Sequence, residues 1–199
     1  MTRTTRVWTA IAFVGLLPLP AHAYSGIGHT WGIVQGLVHP IGGLDHALAM
    51  IGVGIVAALI GGRAVWMVPA AFIVFMAVGA GLGARRIDLP YYEVGIALSV
   101  VILGAIVASG HKLPLAAAAG VAGLFAIFHG YAHGAELPLD VSVAAYGLGF
   151  LLATALLHAI GIGLVHAAVR QGAQTALRAQ QVVGVGMVAI GIALLAGWL

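Results

Sequence analysis

Val65-Trp-Met-Val-Pro-Ala-Ala-Phe-Ile-Val-Phe-Met-Ala-Val-Gly-Ala-Gly-Leu82 is a run of eighteen residues without a charged side chain. A helix rises about 1.5 Å per residue, so such a run approaches the roughly 30 Å thickness of a bilayer's hydrocarbon core. Comparable apolar stretches lie near 42–60, 92–109, 114–131, 143–168 and 181–198. The sequence therefore predicts an all-α fold, a polytopic membrane helix bundle with six transmembrane helices.

The composition of the whole chain supports a membrane protein. Apolar residues make up 62% of the 199 residues, charged residues make up 7%, and the mean hydropathy is +1.14. A water-soluble globular domain carries about 25% charged residues, so that class is excluded. The chain has no cysteine, which excludes disulfides and thiolate metal ligands. The few basic residues form no aromatic-basic patch, and this argues against nucleic-acid binding.

The first 23 residues have the organisation of an export signal. Arg3 and Arg6 form a basic start, residues 7–17 form an apolar core, and Ala21-His22-Ala23 fits the A-x-A cleavage pattern. Cleavage after Ala23 would leave residues 24–199 as a single transmembrane domain. An uncleaved first helix is the alternative interpretation.

The basic residues between the helices indicate an orientation. If the mature N-terminus lies outside, the loops that face the cytoplasm carry Arg63, Lys112, Arg170 and Arg178. The loop after the second helix is then the basic loop on the outer face. This bias fits the positive-inside rule. The expected location is the bacterial inner (cytoplasmic) membrane, with the mature N-terminus and the C-terminus both periplasmic.

Two clusters of ionisable residues adjoin the apolar runs. They read His39-Pro-Ile-Gly-Gly-Leu-Asp45-His46 and His129-Gly-Tyr-Ala-His133-Gly-Ala-Glu136. Ionisable side chains within a membrane are costly and mark a functional site by default. In the expected orientation the first helix begins, and the fourth helix ends, at the outer face. Both clusters should therefore lie in the same leaflet.

The second cluster has the spacing i, i+4, i+7. This spacing places His129, His133 and Glu136 on one stripe of a helix. Because Gly134 and Pro138 follow closely, the helix should end near Glu136. His129 is then the deepest of the three side chains, and Glu136 lies nearest the aqueous rim.

The first cluster contains residues that disturb a regular helix. Pro40, Gly42 and Gly43 predict a bend or a broken turn between His39 and the Asp45-His46 pair. Adjacent side chains point about 100° apart on a helix. One residue of the pair can therefore bind a metal while the other orients it or faces another stage of a path.

Imidazole and carboxylate groups together suit a borderline divalent metal. Nitrogen ligands disfavour Mg²⁺ and Ca²⁺, and the absence of thiolates disfavours Cu(I), which leaves Ni²⁺, Co²⁺ and Zn²⁺. His158, in the middle of the fifth helix, is a further candidate for a conduction path, and His29, near the outer face, for metal capture. We expect no bound cofactor, because the metal would be the transported substrate.

Beyond these chemical arguments, the sequence resembles the HupE/UreJ family of bacterial membrane proteins. The resemblance is carried by His39-Pro40-x-x-Gly43-Leu44-Asp45-His46-x-Leu48-Ala49-Met50, by Phe128-His129-Gly130-x-Ala132-His133-Gly134-x-Glu136 and by Ala153-Thr154-Ala155-Leu156-Leu157-His158. With the signal segment and six helices, it covers nearly the whole chain. Members often have a histidine directly after the cleavage site, where this sequence has Tyr24.

The resemblance implies a permease for nickel, or sometimes cobalt, that is associated indirectly with hydrogenase or urease maturation. It implies metal-binding roles for His39, Asp45, His46, His129, His133 and Glu136. The expected partners are the lipid bilayer and the metal ion. Whether the chain forms a homo-oligomer is left open by the sequence.

Three classes of function remain to be weighed. The first is a secondary transporter, since no Gly-x-x-x-x-Gly-Lys phosphate-binding loop is present for ATP. The second is a metal-dependent intramembrane enzyme with Glu136 as its base, although His-Glu-x-x-His and an obvious serine nucleophile are lacking. The third is a metal-binding accessory subunit of a larger transporter. The sequence favours the first class, which is not an enzyme.

Overall fold

The computed structural model describes residues 29–137 and 141–199, and in these ranges the chain forms seven helices. They are α1 (His29–Gly42), α2 (Leu44–Ile60), α3 (Ala64–Ala84), α4 (Tyr92–Ser109), α5 (Leu115–Ala135), α6 (Val143–Arg170) and α7 (Ala173–Leu195). The expected signal segment and its cleavage site lie outside the described residues.

Helices α3 to α7 are each long and apolar enough to cross a membrane, and the bent pair α1–α2 supplies a sixth candidate span. The predicted all-α membrane architecture is thereby confirmed. Two parts of the helix pattern differ from the prediction. Helix α1 was not expected at all, and α7 begins at Ala173, so that the interpretation of residues 173–180 as a loop was wrong. Alanine, glutamine, leucine and arginine are good helix formers despite the polarity of this segment.

The bend expected in the first cluster lies at Gly43. Helices α1 and α2 meet there at 85°. Gly43 itself has an extended backbone, with φ −98° and ψ 118°, and precedes the first turn of α2. Pro40, which was expected to disturb the helix as well, lies inside α1. The bend therefore separates His39 on α1 from Asp45 and His46 in the first turn of α2.

Glycines bring neighbouring helices into backbone contact. A β-carbon on Gly79 of α3 would collide with the carbonyl of Ile127 on α5, and one on Gly130 of α5 would collide with the carbonyl of Met76. Such small residues let helix backbones approach closely in a membrane. Helix α5 is therefore held along α3, and this contact fixes the position of the second cluster.

Helix α6 makes the same kind of contact with both halves of the bent pair. A β-carbon on Gly36 of α1 would meet the backbone of Tyr146, and one on Gly54 of α2 would meet the carbonyl of His158. Because both halves lie directly on α6, the 85° bend is held from one side. The start of α2 lies beside the end of α5, where His46 contacts His129 and His133.

Candidate metal-binding site

The two polar clusters meet in the folded chain. The ring centroid of His46 lies 4.4 Å from that of His133 and 4.7 Å from that of His129. His39 joins from α1, with its ring centroid 4.8 Å from that of His133. Residues distant in the sequence therefore form one continuous group of four imidazoles.

The outer part of this group is formed by His39, His133 and Glu136. Their potential ligand atoms all lie within 4.8 Å of one another, and among the described residues this is the one trio of histidine and acidic side chains that is so close. The Nε2 atom of His39 lies 3.6 Å from Oε2 of Glu136. The Glu136 side chain is 57% exposed, whereas His133 is 4% exposed. We refer to these three residues as the outer trio.

The inner part of the group is formed by His46, His129 and His133. His129 is completely buried, and burial increases along the stripe from Glu136 through His133 to His129. The imidazole of His133 belongs to both parts. We refer to His46, His129 and His133 as the inner trio.

The carboxylate of Asp45 fixes the imidazole of His46. Its Oδ1 atom lies 2.7 Å from Nδ1 of His46 and accepts a second hydrogen bond, of 2.8 Å, from the backbone N–H of the same residue. Because a carboxylate accepts, His46 carries its proton on Nδ1, which leaves the Nε2 lone pair available. Nε2 is buried and has no hydrogen-bond partner in the part of the chain that the structure describes. This is the arrangement that orients a histidine toward a metal.

Aromatic rings enclose the imidazoles. The ring of Phe150 lies 4.1 Å from that of His133, and Tyr146 lies 5.8 Å from His39, both measured between centroids. Phe72, completely buried, lies 5.8 Å from His129 and 5.2 Å from His158. A low-polarity wall of this kind strengthens electrostatic interactions with an ion. The sequence analysis singled out none of these aromatic residues.

His158, on α6, has no ring contact with the four clustered imidazoles among those found in the described residues, but its ring lies beside that of Phe72. It is 2% exposed, and neither of its ring nitrogens has a hydrogen-bond partner among the described residues. Phe72 contacts the rings of both His158 and His129. His29 begins α1, and its role in metal capture stays a prediction. His166, by contrast, is exposed, and its Nδ1 lies 2.8 Å from the carbonyl oxygen of Ile162.

One polar residue that contacts the site was missed by the sequence analysis. The hydroxyl oxygen of Ser99, on α4, lies 2.8 Å from Nε2 of His129. A serine within an apolar run is an ordinary feature of a membrane helix, so no motif marks it. Its isolation in the middle of α4 is the only signal the sequence offers.

The chain was compared with known proteins. The family model described as HupE / UreJ protein matches residues 11–194. The protein HupE of Rhizobium leguminosarum bv. viciae is 45% identical over 193 residues, an alignment that covers 97% of this chain and 98% of that relative. No solved structure matches the chain with significance.

Proposed function

The chain belongs to the HupE/UreJ family, and on this basis we propose that it is a secondary permease for Ni²⁺, with Co²⁺ as a second substrate. In this proposal the metal moves from the periplasm to the cytoplasm, where it serves the maturation of a hydrogenase or a urease. The observation that carries the proposal is the outer trio, a partly exposed set of three donors that continues into buried imidazoles.

The proposed route begins at Glu136. Its exposed carboxylate attracts a hydrated dication, and His39 and His133 then replace water molecules as ligands. From His133 the ion passes to His46 and His129 of the inner trio. Phe72 contacts the rings of both His129 and His158, and in this route His158 is the next imidazole to bind the ion.

The chemistry of the donors supports a borderline divalent metal as the substrate. The four imidazoles and the carboxylates of Asp45 and Glu136 offer only nitrogen and oxygen, and two negative charges match one dication. Neutral imidazole suits nickel, cobalt and zinc better than magnesium or calcium. The choice of nickel and cobalt over zinc rests on the family.

The membrane potential is a sufficient driving force for this transport. It contributes about 2.3 kcal/mol per charge per 100 mV. For a potential of about 100 mV, the free energy of a dication falls by roughly 4.6 kcal/mol on entering the cytoplasm, which corresponds to about a thousandfold accumulation. The proposed orientation, with both mature termini in the periplasm of an inner-membrane protein, places the outer trio on the side from which the ion arrives.

Uptake of radioactive ⁶³Ni²⁺ by proteoliposomes tests the proposal. We expect accumulation with the purified protein alone, driven by an inside-negative potential and competed by Co²⁺ more strongly than by Zn²⁺. His46→Ala and His133→Ala should abolish uptake while the protein still inserts. If the protein is a carrier, uptake needs no other protein and no second substrate. An enzyme or an accessory subunit would give no uptake under these conditions.

His166→Ala is the matched control. His166 is a histidine of the same bundle, but its imidazole is exposed and bonded to a backbone carbonyl of its own helix. Its removal should leave uptake unchanged. Wild-type uptake by both His46→Ala and His133→Ala would refute the assignment of the site.

A further inference from the structure

We propose that Ser99 is a positioning residue that fixes the tautomer of His129, so that Nδ1 of His129 is the atom that binds the metal. This inference rests on the proposed function, because it assigns a ligand atom within the same site. It concerns a residue outside both polar clusters.

Two contacts of the Ser99 hydroxyl carry the argument. Its oxygen lies 2.6 Å from the carbonyl oxygen of Ile96, one turn earlier in α4, and 2.8 Å from Nε2 of His129. Ser99 and His129 are both completely buried, so water does not compete for either group. Both distances are those of good hydrogen bonds.

The hydroxyl has a single proton, and the carbonyl of Ile96 can only accept. The short contact with Ile96 therefore takes the proton of Ser99. The hydroxyl oxygen of Ser99 can then only accept in its hydrogen bond with His129, so the donor in that bond is the Nε2–H of His129. In the neutral imidazole the other nitrogen, Nδ1, then carries no proton and presents a lone pair.

The surroundings of Nδ1 agree with this assignment. It is buried and has no hydrogen-bond partner among the described residues, a costly state for a polar atom in a protein interior. The ring of His129 stands edge-on to that of His46, whose Nε2 is likewise buried without a partner. Two adjacent imidazoles therefore each have one nitrogen held by an oxygen and the other left with a lone pair.

Ser99 thus has for His129 the role that Asp45 has for His46. Metal-binding histidines usually donate their second ring N–H to a carboxylate, a carbonyl or a water, and loss of that partner typically costs 10–100-fold in metal affinity. A serine hydroxyl can donate or accept, and it is restricted to accepting from His129 because its own proton is directed to the carbonyl of Ile96.

Nitrogen-15 NMR of the histidine-labelled protein in lipid, without metal, tests the tautomer directly. The His129 signals are identified by their absence from His129→Gln. We expect a protonated Nε2 and an unprotonated Nδ1 in the wild type, and loss of this fixed pattern in Ser99→Ala. A wild-type His129 protonated on Nδ1 would overturn the inference, whether or not Ser99→Ala folds.

Titration of the purified proteins with Ni²⁺ tests the consequence. Ser99→Ala should bind about tenfold more weakly or worse, and Ser99→Thr, which keeps the hydroxyl, should bind like the wild type. Ser109→Ala is the matched control, since Ser109 makes the same bond to the carbonyl three residues earlier on the same helix but is exposed. Equal Ni²⁺ affinities of Ser99→Ala and the wild type would contradict the inference.

Failure of the proposed function gives a different result. Proteoliposomes of the wild type would then accumulate no Ni²⁺, which refutes transport. The NMR pattern and the Ni²⁺ titration would still decide whether Ser99 prepares His129 as a ligand.

Discussion

The imidazole of His39 and the carboxylate of Glu136 approach to 3.6 Å between Nε2 and Oε2, one at the end of α1 and the other just past the end of α5. Both also lie beside His133. Two different helices therefore contribute to one set of donors. Loss of either donor should therefore weaken the same site.

His39→Ala and Glu136→Gln should each raise the Ni²⁺ concentration that gives half-maximal uptake. The double variant should raise this concentration by less than the product of the two single effects. Both donors bind the same ion, so the first substitution already removes part of the interaction that the second would remove. Initial rates of ⁶³Ni²⁺ uptake provide the measurement. Effects that multiply would show that the two residues act at separate places.

Asp45→Ala should weaken Ni²⁺ binding by about 10–100-fold, since His46 loses the partner that orients it. Asp45→Asn should fall between Ala and the wild type, because an amide oxygen still accepts from Nδ1 but forms a weaker, uncharged bond. Titration of the purified proteins gives the affinities. Asp88→Asn, in the exposed α3–α4 loop, is the control and should bind like the wild type. Similar affinities for Asp45→Ala and the wild type would exclude this role.

Gly43→Ala should reduce uptake with little loss of stability. A β-carbon there would lie 2.8 Å from Oδ1 of Asp45 and 3.1 Å from Nδ1 of His46, so the hydrogen-bonded pair must shift. The backbone of Gly43 is extended, a conformation that alanine adopts freely. Gly42→Ala is the adjacent control, since its β-carbon would meet nothing within 4 Å. Uptake rates and thermal unfolding separate the two effects, and equal uptake by both variants would contradict the prediction.

His158→Leu should slow uptake without lowering the unfolding temperature. Leucine is similar in size and removes two buried nitrogens that lack partners, and each such atom costs about 1–3 kcal/mol. A purely structural histidine would behave differently, since its replacement would alter stability and leave transport alone. Uptake and thermal unfolding of the same preparations decide between these outcomes.

Gly79→Ala should destabilise the bundle by about 1–3 kcal/mol, because the added methyl group meets the backbone of α5 and cannot be accommodated by a side-chain rotation. Gly120→Ala, on α5 itself, should be neutral or stabilising, since its β-carbon would meet nothing within 4 Å and alanine has the higher helix propensity. Thermal unfolding in lipid compares the pair. Equal stability of the two variants would argue against backbone contact between α3 and α5.

Much of the membrane architecture was predictable because hydrocarbon imposes a length on every span. The prediction for the third helix, 92–109, coincides with α4 (Tyr92–Ser109). Helix α1 was missed because its 14 residues are too short to span and include Gly36 and Pro40, which disfavour a helix. Packing against α6 stabilises this helix, and the local sequence of α1 does not indicate which helix it packs against.

The candidate site was predictable to the extent that its residues carry charge or imidazole. The spacing of His129, His133 and Glu136 indicates that they share one face of a helix. The bend at Gly43 was predictable from the neighbouring glycines Gly42 and Gly43. The role of Ser99 was not predictable, since it depends on which helix packs opposite His129. Neither was the position of Phe72, an apolar residue among many.

His133 lies close to His39 and Glu136, and its ring also lies beside that of His46. In the proposed transport, a dication can exchange Glu136 and His39 for His46 while it stays bound to His133, so its ligands are never all lost at once. In this proposal, stepwise substitution of this kind keeps the ion from being bare in a medium of low permittivity.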